Sequence, residues 1–188
     1  IHTFLSYLAQ EKRYSPHTVS SYTADLLQFQ KFLLQRFELD MLEATHVQVR
    51  DYMVYFMAHQ IGANSVSRKL SCLRSFYKYQ QRQGLIVNNP LGQIKAPKVT
   101  KRLPVFIDDQ KMDELLDSTE YFDNSFSSVR DKLILEVLFG TGIRLAELLS
   151  LKDSDINFYE GTIKVMGKGG KQRIIPLPGP LINLLKEF

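Results

Sequence analysis

A chain of 188 residues, 44% of them hydrophobic, can bury one medium core or two small ones. Its single cysteine, Cys72, excludes an internal disulfide, and no stretch approaches the ~20 apolar residues of a membrane-spanning helix. The first residues, IHTFLSYLAQEKRY, lack the basic start and small-residue cleavage site of a signal peptide. These features predict a cytoplasmic protein, and the missing initial Met predicts a piece of something longer. Net charge is only +4, but it is unevenly spread, with 12 basic against 6 acidic residues up to position 98 and 12 against 14 beyond it. Between Asp51 and Asp108 there is no acid at all, while Arg68, Lys69, Arg74, Lys78, Arg82, Lys95, Lys98, Lys101 and Arg102 fall inside. A gap that long in a folded segment points to a polyanion as partner.

Along the chain, Phe4, Leu5 and Leu8 predict a first helix. Ser15 as cap and Pro16 at the first helical position open a second, with Val19, Tyr22, Leu26, Phe29 and Leu33 at steps of three and four. Thr45 and Gln48 have capping-box spacing ahead of a third helix, and Asn64 precedes a fourth that closes at Gly84. On the fourth, Val66, Leu70, Leu73, Phe76 and Tyr77 share one arc, and Arg68, Ser71, Arg74, Ser75, Lys78 and Arg82 share another. The second arc is cationic, rich in hydroxyls and free of acid along its own helix. A solvated face is the alternative, but such faces usually mix Glu with Lys, which favours a phosphate-contacting surface.

Asn88 to Pro104 holds three prolines, a glycine and four basic residues, and predicts an extended linker. Beyond it, Asp108 or Asp109 caps a short helix through Leu116, VRDKLILEVLFGTG predicts a buried helix ended by Gly140 and Gly142, and RLAELLSL gives a further turn or two. IKVM and RIIPL flank GKGGK as a β-hairpin, and Pro180 starts a last helix.

The four histidines, His2, His17, His46 and His59, show no metal-ligand spacing, so no metal or other cofactor is expected. GKGGK lacks the spacing of a phosphate-binding Walker loop; it presents Lys168 and Lys171 at a hairpin tip, and taken alone it reads as a solvated turn. Arg144 follows a glycine-rich break at a helix start, with Glu147 three residues on and on the same face. A guanidinium can clamp two phosphoryl oxygens while a carboxylate fixes its orientation. The other reading is a surface pair worth little. The apolar neighbours Leu138, Phe139, Ile143, Leu145 and Leu148 predict a partly buried arginine.

TGIRLAELLSLKDSDIN, followed by GTIKVMGKGGKQRIIPL with Lys168 24 residues beyond Arg144, resembles the tyrosine recombinases, most closely the Xer-type group that resolves chromosome dimers. RYSPHTVSSYTADLLQFQKFL is similar to the start of that family's core-binding domain, NNPLGQIKAPKVTKRLP to its interdomain linker, and RDKLILEVLFGTGIR to the opening of its catalytic domain. The resemblance implies a mainly α fold with a small β-hairpin or sheet. An N-terminal four-helix, SAM-like core-binding domain would occupy residues 1–98, and the N-terminal portion of an α/β catalytic domain residues 103–188.

It also implies roles. Arg144 clamps the scissile phosphate, Glu147 supports that site, and Lys168 protonates the leaving 5′ oxygen. A tyrosine forms a 3′-phosphotyrosyl link, with neither ATP nor metal. Arg68, Arg74, Lys78, Arg82 and Lys171 would bind duplex DNA, and the complete protein would assemble as a homo- or hetero-tetramer on it. The family's His-x-x-Arg box and nucleophilic Tyr have no counterpart before Phe188, so half an active site and no cleavage are expected of these residues alone. The rival readings are a noncatalytic DNA-binding or structural protein that reuses the fold, and a helical protein-interaction module.

Overall fold

The computed structural model describes residues 1–99, 103, 105–118, 120–167 and 170–188. The chain divides into two units, Ile1–Arg102 and Leu103–Phe188.

The first unit is helical. α1 (His2–Ser6) runs on through a π-helical stretch, Tyr7–Glu11, and α2 (Pro16–Phe37), α3 (His46–Ala58) and α4 (Ala63–Arg82) follow. Local chemistry sets the starts. The Ser15 hydroxyl accepts the Thr18 N–H, with Pro16 as the first helical residue. Thr45 accepts from the Val47 N–H while its own N–H donates to Gln48 Oε1 at 3.0 Å, two otherwise orphaned donors satisfied together. α4 begins after Gly62, ahead of Asn64, and no side chain caps it.

The apolar faces of these helices meet in one core that includes Phe4, Leu26, Phe29, Leu33, Val49, Tyr52, Val66, Leu70, Leu73, Phe76 and Tyr77. Burial of side chains of this size contributes about 1.5–3 kcal/mol each. Tyr52 sits 4.8 Å from Phe29 and 4.4 Å from Phe56, ring centre to ring centre, and the Tyr77 hydroxyl donates to the Met41 carbonyl at 2.6 Å. The expected linker is extended only in part, because Leu91 and Ile94 turn inward and join this core. Two aliphatic side chains buried there outweigh the extended bias of the neighbouring prolines.

The second unit is mixed. α5 (Asp109–Leu116) is capped by Asp108, and α6 (Phe126–Thr141) by Ser125. α6 ends where Gly142 takes φ +63°, a conformation that favours glycine. A short α7 (Leu145–Leu148) precedes β1 (Ile156–Asn157), β2 (Thr162–Met166), β3 (Gln172–Pro176) and α8 (Gly179–Glu187). The strands form an antiparallel sheet in the order β1-β2-β3, so the expected hairpin gains a third, two-residue strand. Ile163 and Val165 point inward and pack with Val137, Ile143, Leu177 and Leu181. α6, expected to be buried, buries only Val137 among its described residues. Leu133 and Leu138 are half-buried against the small core, and Phe139 remains exposed.

Candidate functional site

The break between α6 and α7 places Arg144 immediately before α7, in extended conformation, with Glu147 one turn in. The Arg144 N–H, which has no partner within the helix, donates to Glu147 Oε2 at 2.8 Å, and Arg144 Nη1 donates to Oε1 at 3.0 Å. The expected burial is reversed, since the Arg144 side chain is 71% exposed and that of Glu147 only 5%. Phe139 and Leu145, expected to close over the arginine, are themselves exposed.

Glu147 is buried because a second arginine reaches it. Val165 of β2 pairs with Arg173 of β3, so Arg173 shares the inward face with Ile175. From there Nη1 and Nη2 of Arg173 donate to Oε1 and Oε2 of Glu147 at 2.8 and 2.7 Å, a bidentate fork. The fork from Arg173, the Arg144 N–H and the Arg144 guanidinium together hold the Glu147 carboxyl well below its ordinary range, at about 2. One carboxylate and two guanidiniums leave the cluster cationic.

Sequence reasoning missed Arg173. The signal was its period-two position on the same face as Ile175, where an arginine needs an acid. Gly167, at the end of β2, lies under this fork, and a Cβ there would meet Arg173 Nη1 at 3.2 Å. The Gly167 N–H donates to the Lys171 carbonyl at 2.7 Å, and Gly170 takes φ +75°, so the turn favours glycine at these two positions. Lys171 is exposed beside it. Lys168 lies outside the described residues, as do Lys101 and Arg102.

In the helical unit the acid-free arc of α4 turns out to have an acid after all, supplied by α2. Asp25, 3% exposed, accepts both Nη1 and Nη2 of Arg68, the latter at 3.0 Å, and Lys69 Nζ at 2.8 Å. Lys69 also donates to Gln28 at 2.6 Å and lies 5.2 Å over the Phe56 ring. Here too a signal existed: Asp25 sits among Tyr22, Leu26 and Phe29 on the core-facing side of α2, where a carboxylate needs cations. Arg74 Nη2 donates to the Ile94 carbonyl at 3.1 Å, and Arg82 Nη1 to the Tyr7 hydroxyl at 2.9 Å. Lys78 is exposed and has no ion-pair partner among the described residues. The arc therefore combines tethered guanidiniums with a free ammonium. Among the described residues no group of His, Cys, Asp and Glu is placed to hold a metal ion, and no helix is long and apolar enough to cross a membrane.

The family model described as "Phage integrase, N-terminal SAM-like domain" matches residues 1–84, and the one described as "Phage integrase family" matches residues 105–188. The chain belongs to the tyrosine recombinases of the phage integrase family. It is 42% identical over 173 residues, 92% of its length, to the tyrosine recombinase XerC of Staphylococcus saprophyticus, and 39% identical over the same span to that of Staphylococcus aureus. It spans 57% of the length of these relatives. Among solved structures it is similar to a lambda integrase tetramer bound to a Holliday junction, with TM-score 0.75, 18% identity, 99% of this chain and 52% of that chain covered. A lambda integrase dimer bound to a core site gives TM-score 0.72 and 20% identity, with 100% of this chain and 66% of that chain covered. At these identities the likeness is one of fold, and it agrees with the four-helix SAM-like unit and the mixed unit that follows.

Proposed function

We propose that these 188 residues are the DNA-holding and phosphate-clamping part of a site-specific recombinase, which cleaves and rejoins duplex DNA through a 3′-phosphotyrosyl link. The observation that carries this reading is the arginine pair on buried Glu147. Arg173 takes both carboxylate oxygens, and Arg144 is left exposed with a single side-chain hydrogen bond to Glu147. A guanidinium has five N–H donors, so Arg144 keeps most of its own for an anion. Phosphoryl transfer gains most from charge stabilisation and positioning, which such a preset guanidinium supplies.

In this reading Arg144 clamps the scissile phosphate and Glu147 orients it. Lys168 donates a proton to the leaving 5′ oxygen, which then departs as a hydroxyl. Lys171 and the α4 residues Arg68, Arg74, Lys78 and Arg82 hold the duplex. Two resemblances at about 40% identity to XerC favour the Xer-type role, recombination on the chromosome in the cytoplasm by a tetramer of like or paired recombinases.

The test uses a cleavage-competent form, this chain joined to the segment that supplies the family's tyrosine. Lysine is protonated at neutral pH, its unperturbed pKa being ~10.4, so Lys168→Ala should slow cleavage by about 100-fold. A substrate with sulfur at the bridging 5′ position should restore most of the rate, because a thiolate leaves without a proton. Lys171→Ala should weaken binding without such rescue. Rescue of Lys171→Ala with Lys168→Ala left slow would reverse the two assignments, and normal cleavage by both would remove the hairpin from the chemistry.

A further inference from the structure

Arg68 differs from the other cations of its arc in how it is held. Asp25, buried on α2, accepts the forward-pointing N–H groups of both Nη1 and Nη2, so the end of the fork is occupied. The side edge of the guanidinium, Nε–H with the remaining Nη–H, is not used in any hydrogen bond among the described residues, and the side chain is 49% exposed. Arg68, half-exposed, therefore keeps two parallel donors unengaged at a fixed position.

Its charge is offset only in part. Asp25 carries one negative charge for Arg68 and Lys69 together, so the trio keeps one positive charge, and Lys69 is 14% exposed and turned toward Gln28 and Phe56. The counterions that set the salt slope leave the DNA when a cation neutralises a phosphate, as free Lys78 can, whereas a cation engaged with a base edge displaces few of them. What Arg68 adds is direction. A fixed pair of donors matches a pair of acceptors on one base edge, and the guanine O6/N7 pair in the major groove is the match for an arginine.

We infer that Arg68, preset by buried Asp25, reads a guanine in the bound duplex, while Lys78 and its neighbours supply sequence-independent attraction. Asp25 is then a positioning residue for base recognition. This rests on the proposal that the chain binds duplex DNA.

The test is selection from a pool of randomised duplexes by the intact 188-residue chain, with the salt dependence of affinity measured for the recovered sequences. The unmodified chain should recover a motif with a fixed guanine. Arg68→Ala and Arg68→Lys should lose about tenfold of the preference at that position, with the salt slope almost unchanged. Asp25→Asn, nearly isosteric, should lose preference at the same position while binding the pool as a whole more tightly, because it frees the charge of Arg68. A merely structural brace would lower both together.

A salt slope reduced by about 0.9 in Arg68→Ala, with the motif intact, would make Arg68 a phosphate contact and overturn the inference. So would salt-dependent binding by the unmodified chain with no motif recovered. Absence of any duplex binding would instead remove the DNA reading on which the inference stands. Should Asp25→Asn fail to fold, the exposed-site variant Arg68→Lys still decides the matter.

Discussion

In the helical unit, buried Asp25 takes Arg68 and Lys69 from a helix 43 and 44 residues further along the chain. In the mixed unit, buried Glu147 takes Arg144 from three residues before it and Arg173 from 26 residues after it. Both carboxylates are shared by two cations, yet the wiring differs. Asp25 accepts side chains only, and its bidentate partner, Arg68, is the one that faces outward. Glu147 also accepts a backbone N–H at a helix start, and its bidentate partner is the strand arginine, which leaves Arg144 outward with its guanidinium oriented by one hydrogen bond. The fork fixes Arg68 facing outward in one unit and Arg173 facing inward in the other. In the reading proposed above, the same local charge count would serve a directional contact in one unit and a phosphate clamp in the other.

Arg144 should show the steepest loss of the residues named above. In the cleavage-competent form, Arg144→Lys keeps the charge and loses the bidentate geometry, so cleavage should fall about 1,000-fold with DNA affinity changed less than about threefold. Single-turnover cleavage beside equilibrium binding measures both. Near-normal cleavage would reduce Arg144 to a partner of Glu147.

Asp25→Ala sharpens the other side. Removing Asp25 leaves half-exposed Arg68 to water and Lys69, 14% exposed, without its carboxylate, so the helical unit should lose about 2 kcal/mol in urea unfolding. A loss below about 1 kcal/mol would mean that Arg68 and Lys69 find water as readily as they find Asp25.

How far the sequence foretold these sites follows from the range of the interactions. The Ser15–Pro16 and Thr45–Gln48 starts are written within three residues and could be read directly. Glycine at 142 marked the end of α6 for the same local reason. The Arg144–Glu147 pair was visible as a spacing, but its burial was assigned to the wrong partner, because Arg173 arrives from β3, 26 residues further along the chain. Asp25 likewise sits outside the acid-free stretch of sequence and inside the basic face in space. Both misses were inward-facing charges on otherwise apolar faces, a pattern that periodicity can flag although it cannot name the partner. β1, only two residues long, carried too little alternation to register.

A smaller effect is the pH dependence that Glu147 brings. Glu147 is depressed to about 2 in the folded chain against an ordinary value of ~4.3, so its contribution is fully present above about pH 4.3 and is lost as pH falls through 2. Acid titration of the stability of the chain should therefore show a component between those values that Glu147→Gln removes. A profile identical in the two proteins would mean that the arginines do not hold the carboxylate as described.

Whether the α4 face holds duplex DNA is read from the salt dependence of binding by the intact chain. Affinity should fall linearly on logarithmic axes, by about 0.9 per phosphate contacted. Replacing Arg68, Arg74, Lys78 and Arg82 together by Ala should weaken binding and flatten that line. An unchanged affinity and an unchanged slope would mean that the α4 face does not contact the duplex.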